Sequence, residues 1–167
     1  MAAYICKIAS LEEMNTKWDY EIAHAEDDKN NWIIWKQSSI ENMLQGKALP
    51  YYGILDGQII SEATAILDSS IAQNSDGLVD EKTAYLSAFR TIPEYQGQGY
   101  FSKLFKFMLE DLMSRGYEKV TLGVEPEETD YKEIYFHYGF TEYIKSGVEC
   151  YPDGATIDVE YYGKILG

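Results

Sequence analysis

Two glycines one residue apart, Gly97 and Gly99, stand between a strand-like run ending at Thr91 and an apolar helical stripe beginning at Phe101. At the start of a helix the first backbone N–H groups have no partner and the dipole is positive, and residues without Cβ let an anion come close. The chemistry this spacing supports is the cradling of a phosphate or pyrophosphate. Glycine pairs also serve as plain turns, so the reading depends on the strand, loop and helix order across residues 92–104. A second candidate is Tyr135, in the run Ile134-Tyr135-Phe136-His137-Tyr138-Gly139-Phe140. The chain has 15 tyrosines, and an aromatic on a short helix is by default a core residue, so Tyr135 needs support from elsewhere in the sequence.

That support comes from the two segments taken together. Ile92-Pro93-Glu94-Tyr95-Gln96-Gly97-Gln98-Gly99-Tyr100-Phe101-Ser102 resembles the acetyl-CoA motif of the GNAT superfamily, Arg/Gln-x-x-Gly-x-Gly/Ala, with Gln96 and Gly99 on the first two fixed positions and Phe101 departing from the third. The run around Tyr135 resembles the family's Leu/Phe-Tyr-x-x-x-Gly-Phe signature, in the right order and at a family-like distance. The resemblance implies that Gln96, Gly97, Gln98, Gly99, Tyr100, Phe101 and Ser102 bind acetyl-CoA, with backbone contacts from Gln98 to Ser102 to the pyrophosphate and from Phe89 and Thr91 to the pantetheine arm. It also implies that Tyr135 is the catalytic general acid near the sulfur, which fits a phenol of pKa about 10 facing a thiolate whose acid has a pKa of about 8 to 9. The reaction implied is direct attack of an amine on the thioester, polarised by a backbone N–H of the fourth strand.

Departures from the family pattern are equally legible. Glu128 and Tyr131 replace the Asn and Ala that often accompany the second signature. The stretch 83–87 holds Tyr85 and no carboxylate where many relatives keep a glutamate base, leaving Glu125 or a water chain to take the proton. Together with Phe101, this motivates an alternative from another class, a catalytically inactive GNAT-like module that binds or senses acyl-CoA. A degraded dinucleotide fingerprint with Glu125 on a ribose is weaker, because the short remainder after Gly99 ends in a hairpin and cannot supply several βα units. Two histidines, no Gly-x-Ser-x-Gly elbow and no His-Glu-x-x-His spacing exclude serine hydrolase and zinc-enzyme readings, and no metal is expected.

The elements that must position these residues follow from periodicity. Residues 4–8 alternate as a strand, and Ser10 with Glu13 forms a capping box for the first helix. A second helix is expected over 32–45, then strands over 51–55 and 58–67 joined by Asp56-Gly57, a strong hairpin signal. Residues 68–82 read as a long solvent loop, 83–91 as a strand, 97–115 as an amphipathic helix, 120–124 as a strand, and 130–138 as a short helix. Two strands, 141–149 and 156–164, flank Pro152-Asp153-Gly154. Arg90 falls on one face with Ala84, Leu86 and Ala88, where a charge needs a carboxylate or a ligand.

With 167 residues and 46% apolar content, the chain is expected to be a single α+β domain of GNAT fold, with a central mixed, mostly antiparallel sheet flanked by helices. A net charge of −14 argues against nucleic acid or an anionic membrane as partner. No apolar run is long enough to span a bilayer and the start lacks a signal-like pattern, so the expected location is the cytoplasm. Cys6 and Cys150 read as reduced structural thiols, Trp18, Trp32 and Trp35 as core by default, and the acceptor as a small-molecule or peptide amine. A homodimer through a sheet edge is an open possibility.

Overall fold

Ser10 opens the first helix as expected: its hydroxyl accepts from the Glu13 amide at 3.1 Å, and its own amide donates to the Glu13 carboxylate at 2.8 Å. A computed structural model describes residues 3–167. The described elements are β1 (Tyr4–Ile8), α1 (Leu11–His24), α2 (Lys29–Leu44), β2 (Ala48–Leu55), β3 (Gln58–Ile66), β4 (Thr83–Thr91), α3 (Tyr100–Ser114), β5 (Lys119–Val124), α4 (Thr129–His137), β6 (Glu142–Cys150) and β7 (Thr156–Ile165). Single turns of 3-10 helix lie at Ser69–Ile71 and Pro93–Tyr95.

The strands form one sheet of order β1-β2-β3-β4-β5-β7-β6. β1 with β2, β5 with β7 and β6 with β7 run antiparallel, and β4 with β5 parallel. This is the mixed, mostly antiparallel α+β architecture expected. The β2–β3 turn has positive φ at both Asp56 (48°) and Gly57 (85°), the geometry that matches strand twist in a two-residue hairpin.

By packing, the chain divides into two compact units: the part up to Thr64 with Ala88–Met108, and Ala65–Ser87 with Leu109–Gly167. In the first, Trp32 lies tilted against Trp18 and meets Trp35 edge to face, and the three pack with Ala9, Met14 and Tyr52. Full burial, as at Met14, contributes about 1.5–3 kcal/mol. In the second, Leu78 and Val79 form a core with Val159 and Tyr161.

Three expectations shift. The second helix begins at Lys29 rather than 32, since polar residues 29–31 contain no breaker and Asn31 is itself buried. The third begins at Tyr100 rather than 97, because Gly97 and Gly99 have φ of 74° and 87°, outside the helical region. Residues 68–82 are not a solvent loop throughout: Leu78 is fully buried, and its carbonyl accepts from the Thr121 hydroxyl at 2.8 Å. The side chains of Gln73 and Asn74 bond the backbone of Cys150 and Val148.

Burial in the first unit includes an ion pair, Lys17 Nζ to Glu62 Oε1 at 2.9 Å, with both side chains almost fully covered. Burial pushes the Glu62 carboxyl up, opposed by the charge and hydrogen bond of Lys17. Truncating one partner leaves the other charge uncompensated in a dry place. Lys17→Ala is expected to lower the unfolding free energy by about 3–5 kcal/mol in urea denaturation, and the double variant Lys17→Met with Glu62→Leu to recover most of that loss.

Candidate active site

β4 is distorted at Ala88, a non-glycine residue at φ 57°, and its pairing with β5 covers Thr83 to Leu86. A left-handed residue breaks the alternation of faces. Arg90 therefore does not continue the apolar face of Ala84 and Leu86; its guanidinium meets Glu21 at 2.7 Å and lies over the Trp32 ring. The carboxylate partner expected for Arg90 is Glu21. The neighbouring Phe89 packs against Phe101 and Phe105, with ring centroids 5.6 and 6.0 Å away.

The loop that follows is braced from inside. The Tyr95 amide donates to Ile92 and the Gln96 amide to Pro93, while the side-chain amides of Gln96 and Gln98 donate to the carbonyls of Thr91 and Glu94 at 3.0 and 2.9 Å. The first helical bond of α3 joins the Lys103 amide to the Gly99 carbonyl. Among the described residues, the N–H groups of Gly97, Gln98, Gly99, Tyr100 and Phe101 meet no protein acceptor. A Cβ placed on Gly97 or Gly99 would enter open space, so the backbone there is uncovered. The loop thus offers a run of free donors at the positive end of a 15-residue helix.

Phe101 takes no part in covering that space. Its ring stacks on Phe105 at 5.8 Å, one turn along α3, and meets the edge of Phe89. The stripe to which it belongs accommodates a residue that the family motif normally keeps small. The register of the loop is held from the far end of the sheet: the Tyr4 hydroxyl on β1 donates to the Tyr100 carbonyl at 2.8 Å, is bonded to Ser61 at 2.8 Å, and its ring packs on Tyr100 at 4.8 Å. Burial pushes the Tyr4 phenol up to about 12, so it remains a donor. Gly53 leaves room for that hydroxyl, with which a Cβ there would collide. Sequence reading missed Tyr4, because no local pattern signals a contact 96 residues away.

Phe89, Thr91 and the loop from Gln96 to Ser102 all lie in the first unit, and Tyr135 in the second. Tyr135 is on α4, its ring parallel to that of Tyr131 at 6.4 Å, and burial holds its phenol well above the ordinary value, helped by Tyr131 and Glu128. Such a group stays protonated at neutral pH. One carboxylate of the second unit, Glu149, escaped sequence reading. Glu149 on β6 accepts from the Tyr161 hydroxyl at 2.7 Å and the Tyr85 hydroxyl at 3.2 Å. Glu128 is pushed up to about 7, chiefly by a hydrogen bond to Glu125, then by burial and by that neighbour's like charge. Glu149 lies 64 residues along the chain from Tyr85 and so does not stand out by spacing.

The family model described as Acetyltransferase (GNAT) family matches residues 9–140. The chain belongs to the GNAT acetyltransferase family. It is accordingly an acyltransferase. Among solved GNAT structures, the ribosomal-protein-S18-alanine N-acetyltransferase of Escherichia coli is similar at a TM-score of 0.71 and 17% identity, covering 99% of this chain and 95% of that one. YncA, a putative acetyltransferase of Salmonella typhimurium solved with its cofactor acetyl-CoA, is similar at 0.64 and 16%, covering 99% and 95%. An N-acetyltransferase of Staphylococcus aureus Mu50 is similar at 0.68 and 13%, covering 99% of both chains. At these identities the likeness is one of fold. No curated protein sequence matches the chain.

The Glu125–Glu128 pair makes a pH prediction with a definite sign. A carboxyl held near 7 in the folded state binds a proton that the unfolded chain, at about 4.3, has released. Stability from this group is therefore present below about 4.3 and lost as pH rises through about 7. Melting curves of the wild type are expected to fall across that window, and Glu128→Gln to remove this part of the slope.

Proposed function

We propose that this GNAT protein is an N-acetyltransferase of the cytoplasm that moves the acetyl group of acetyl-CoA directly to a primary amine of a small molecule or peptide. The observation that supports this best is the loop itself: consecutive free amides from Gly97 to Phe101, uncovered at both glycines, at the start of α3. These groups fit a pyrophosphate, with Gln96 to Ser102 as its cradle. Gln96 and Gln98 serve it by bracing the loop, since their side chains are engaged with Thr91 and Glu94. Phe89 and Thr91, on the part of β4 beyond its pairing with β5, would hold the pantetheine arm. When bound, acetyl-CoA supplies the activated acyl group.

The chain's own residues would then do three things. The β4 backbone would donate a hydrogen bond to the thioester oxygen as charge develops there. The fixed loop would align the donor so that attack is effectively unimolecular. Tyr135, kept protonated by its burial, would give a proton to the departing sulfur. The aromatic stripe removes the ground for a closed, non-catalytic module, because Phe101 packs on Phe89 and Phe105. The family shows no acceptor for this chain, and its strongly acidic surface suits a cationic amine.

Binding only to the native state raises stability by about 2.7 kcal/mol at a ligand concentration 100 times Kd. For a chain of this size that is a melting shift of roughly 5–10 °C. Acetyl-CoA is expected to produce such a shift in the wild type and none in Gly99→Trp, whose side chain would occupy the open space over the loop. No shift in the wild type at millimolar acetyl-CoA would rule the proposal out.

A further inference from the structure

The reaction needs a proton acceptor, because an amine is an ammonium at neutral pH and its lone pair is unavailable. β4 supplies no carboxylate, and Tyr85 stands where one would be expected. The side chain of Tyr85 reaches over Gly123 of β5, where a Cβ would meet its hydroxyl at 2.9 Å. That hydroxyl donates to Glu149 Oε2. The same oxygen accepts from Tyr161 of β7, whose hydroxyl takes a hydrogen bond from Asn74 at 3.0 Å. The glycine at 147 leaves room for this arrangement, since a Cβ there would press on Asn74 and Tyr161 at 3.1 and 3.3 Å. Two phenols and an amide thus fix one carboxylate on β6 in place.

We propose that Glu149 is the general base of this enzyme, presented by Tyr85 in place of a carboxylate on β4. This rests on the N-acetyltransferase reading above. Both phenols use Oε2, and among the described residues Oε1 meets no hydrogen-bond donor. Oε1 is therefore the atom available to an incoming ammonium, which it binds as an ion pair before taking its proton. Tyr135 lies near enough to Tyr85 to help hold its phenol up, so acid and base belong to one cluster of the second unit.

The balance closes without another reactant. One proton passes from the ammonium nitrogen to Glu149 Oε1, and the freed lone pair forms the C–N bond. The C–S bond breaks with its electrons going to sulfur, which takes the Tyr135 proton. The second N–H proton leaves as the amide forms and restores Tyr135, and Glu149 returns its proton to water. Tyr85 and Tyr161 are positioning residues that hold the carboxylate.

The test uses Glu149→Gln in the full chain, with free thiol release measured against spermidine, kanamycin and an alanine-ended tripeptide. The wild type is expected to turn over at least one of them, and the variant to lose about 100-fold or more in kcat on that amine. Its melting shift with acetyl-CoA should stay within 2 °C of the wild type. Among the described residues, the titratable groups facing Glu149 are Tyr85 of β4, Tyr161 of β7 and Tyr151, and all three are raised above the ordinary tyrosine value. None titrates between pH 6 and 9, so the variant rate should climb about tenfold per unit as the amine deprotonates unaided, while the wild-type rate levels off. Tyr85→Phe should fall between the two. A variant within threefold of the wild type, or one with no such climb, would overturn the assignment of Glu149 while leaving the acetyl-CoA site intact. A wild type that shifts with acetyl-CoA but acetylates none of the amines would count against both readings.

Discussion

The residue on which the rest turns is Ala88. A side chain at φ 57° costs about 1–2 kcal/mol, which the surroundings must hold in place. Upstream of it, β4 is locked to β5 from Thr83 to Leu86. Downstream, Phe89 is clamped by two α3 phenyl rings, Arg90 by Glu21, and the Ile92 amide by the Ile60 carbonyl at 2.8 Å. This break decides where Phe89 and Arg90 point and frees the last part of the strand to lead into the glycine loop.

The loop illustrates how a small polar site is built on an apolar support. Its outer side is backbone alone, with five donors and two glycines. Its inner side is aromatic: Phe101, Phe105 and Phe89 below the first turn of α3, and Tyr4 and Tyr95 around Tyr100. Rings fix the helix end because their positions are set by close packing, which tolerates little displacement. The hydrogen bond from Tyr4 then sets the height of the first turn, and its burial makes that bond costly to lose.

Local signals carried most of the architecture. The Ser10–Glu13 box, the Asp56-Gly57 turn and the Phe101-to-Leu112 stripe each specify one element through interactions among near neighbours, and each is found in the structure. Gln96 to Gly99 and the Tyr135 run were legible for the same reason, as short motifs whose spacing carries chemistry. What escaped was set by distant packing. Burial of Leu78 depends on Thr121, the bracing of Tyr100 on Tyr4, and the pairing of Glu149 with Tyr85 and Tyr161 on strands 64 and 12 residues removed. Polarity alone placed residues 68–82 in solvent, yet two apolar residues in that stretch are enough to draw it into a core.

The central claim is that backbone amides from Gly97 to Phe101 bind the pyrophosphate of CoA. Hydrogen exchange followed by mass spectrometry, with and without saturating CoA, reads those amides directly. They are uncovered in the free protein and should exchange quickly, then slow by at least tenfold on binding, with Phe89 and Thr91 protected alongside. Exchange at Gly97 to Phe101 that is unchanged at saturation, with protection appearing elsewhere, would contradict the account.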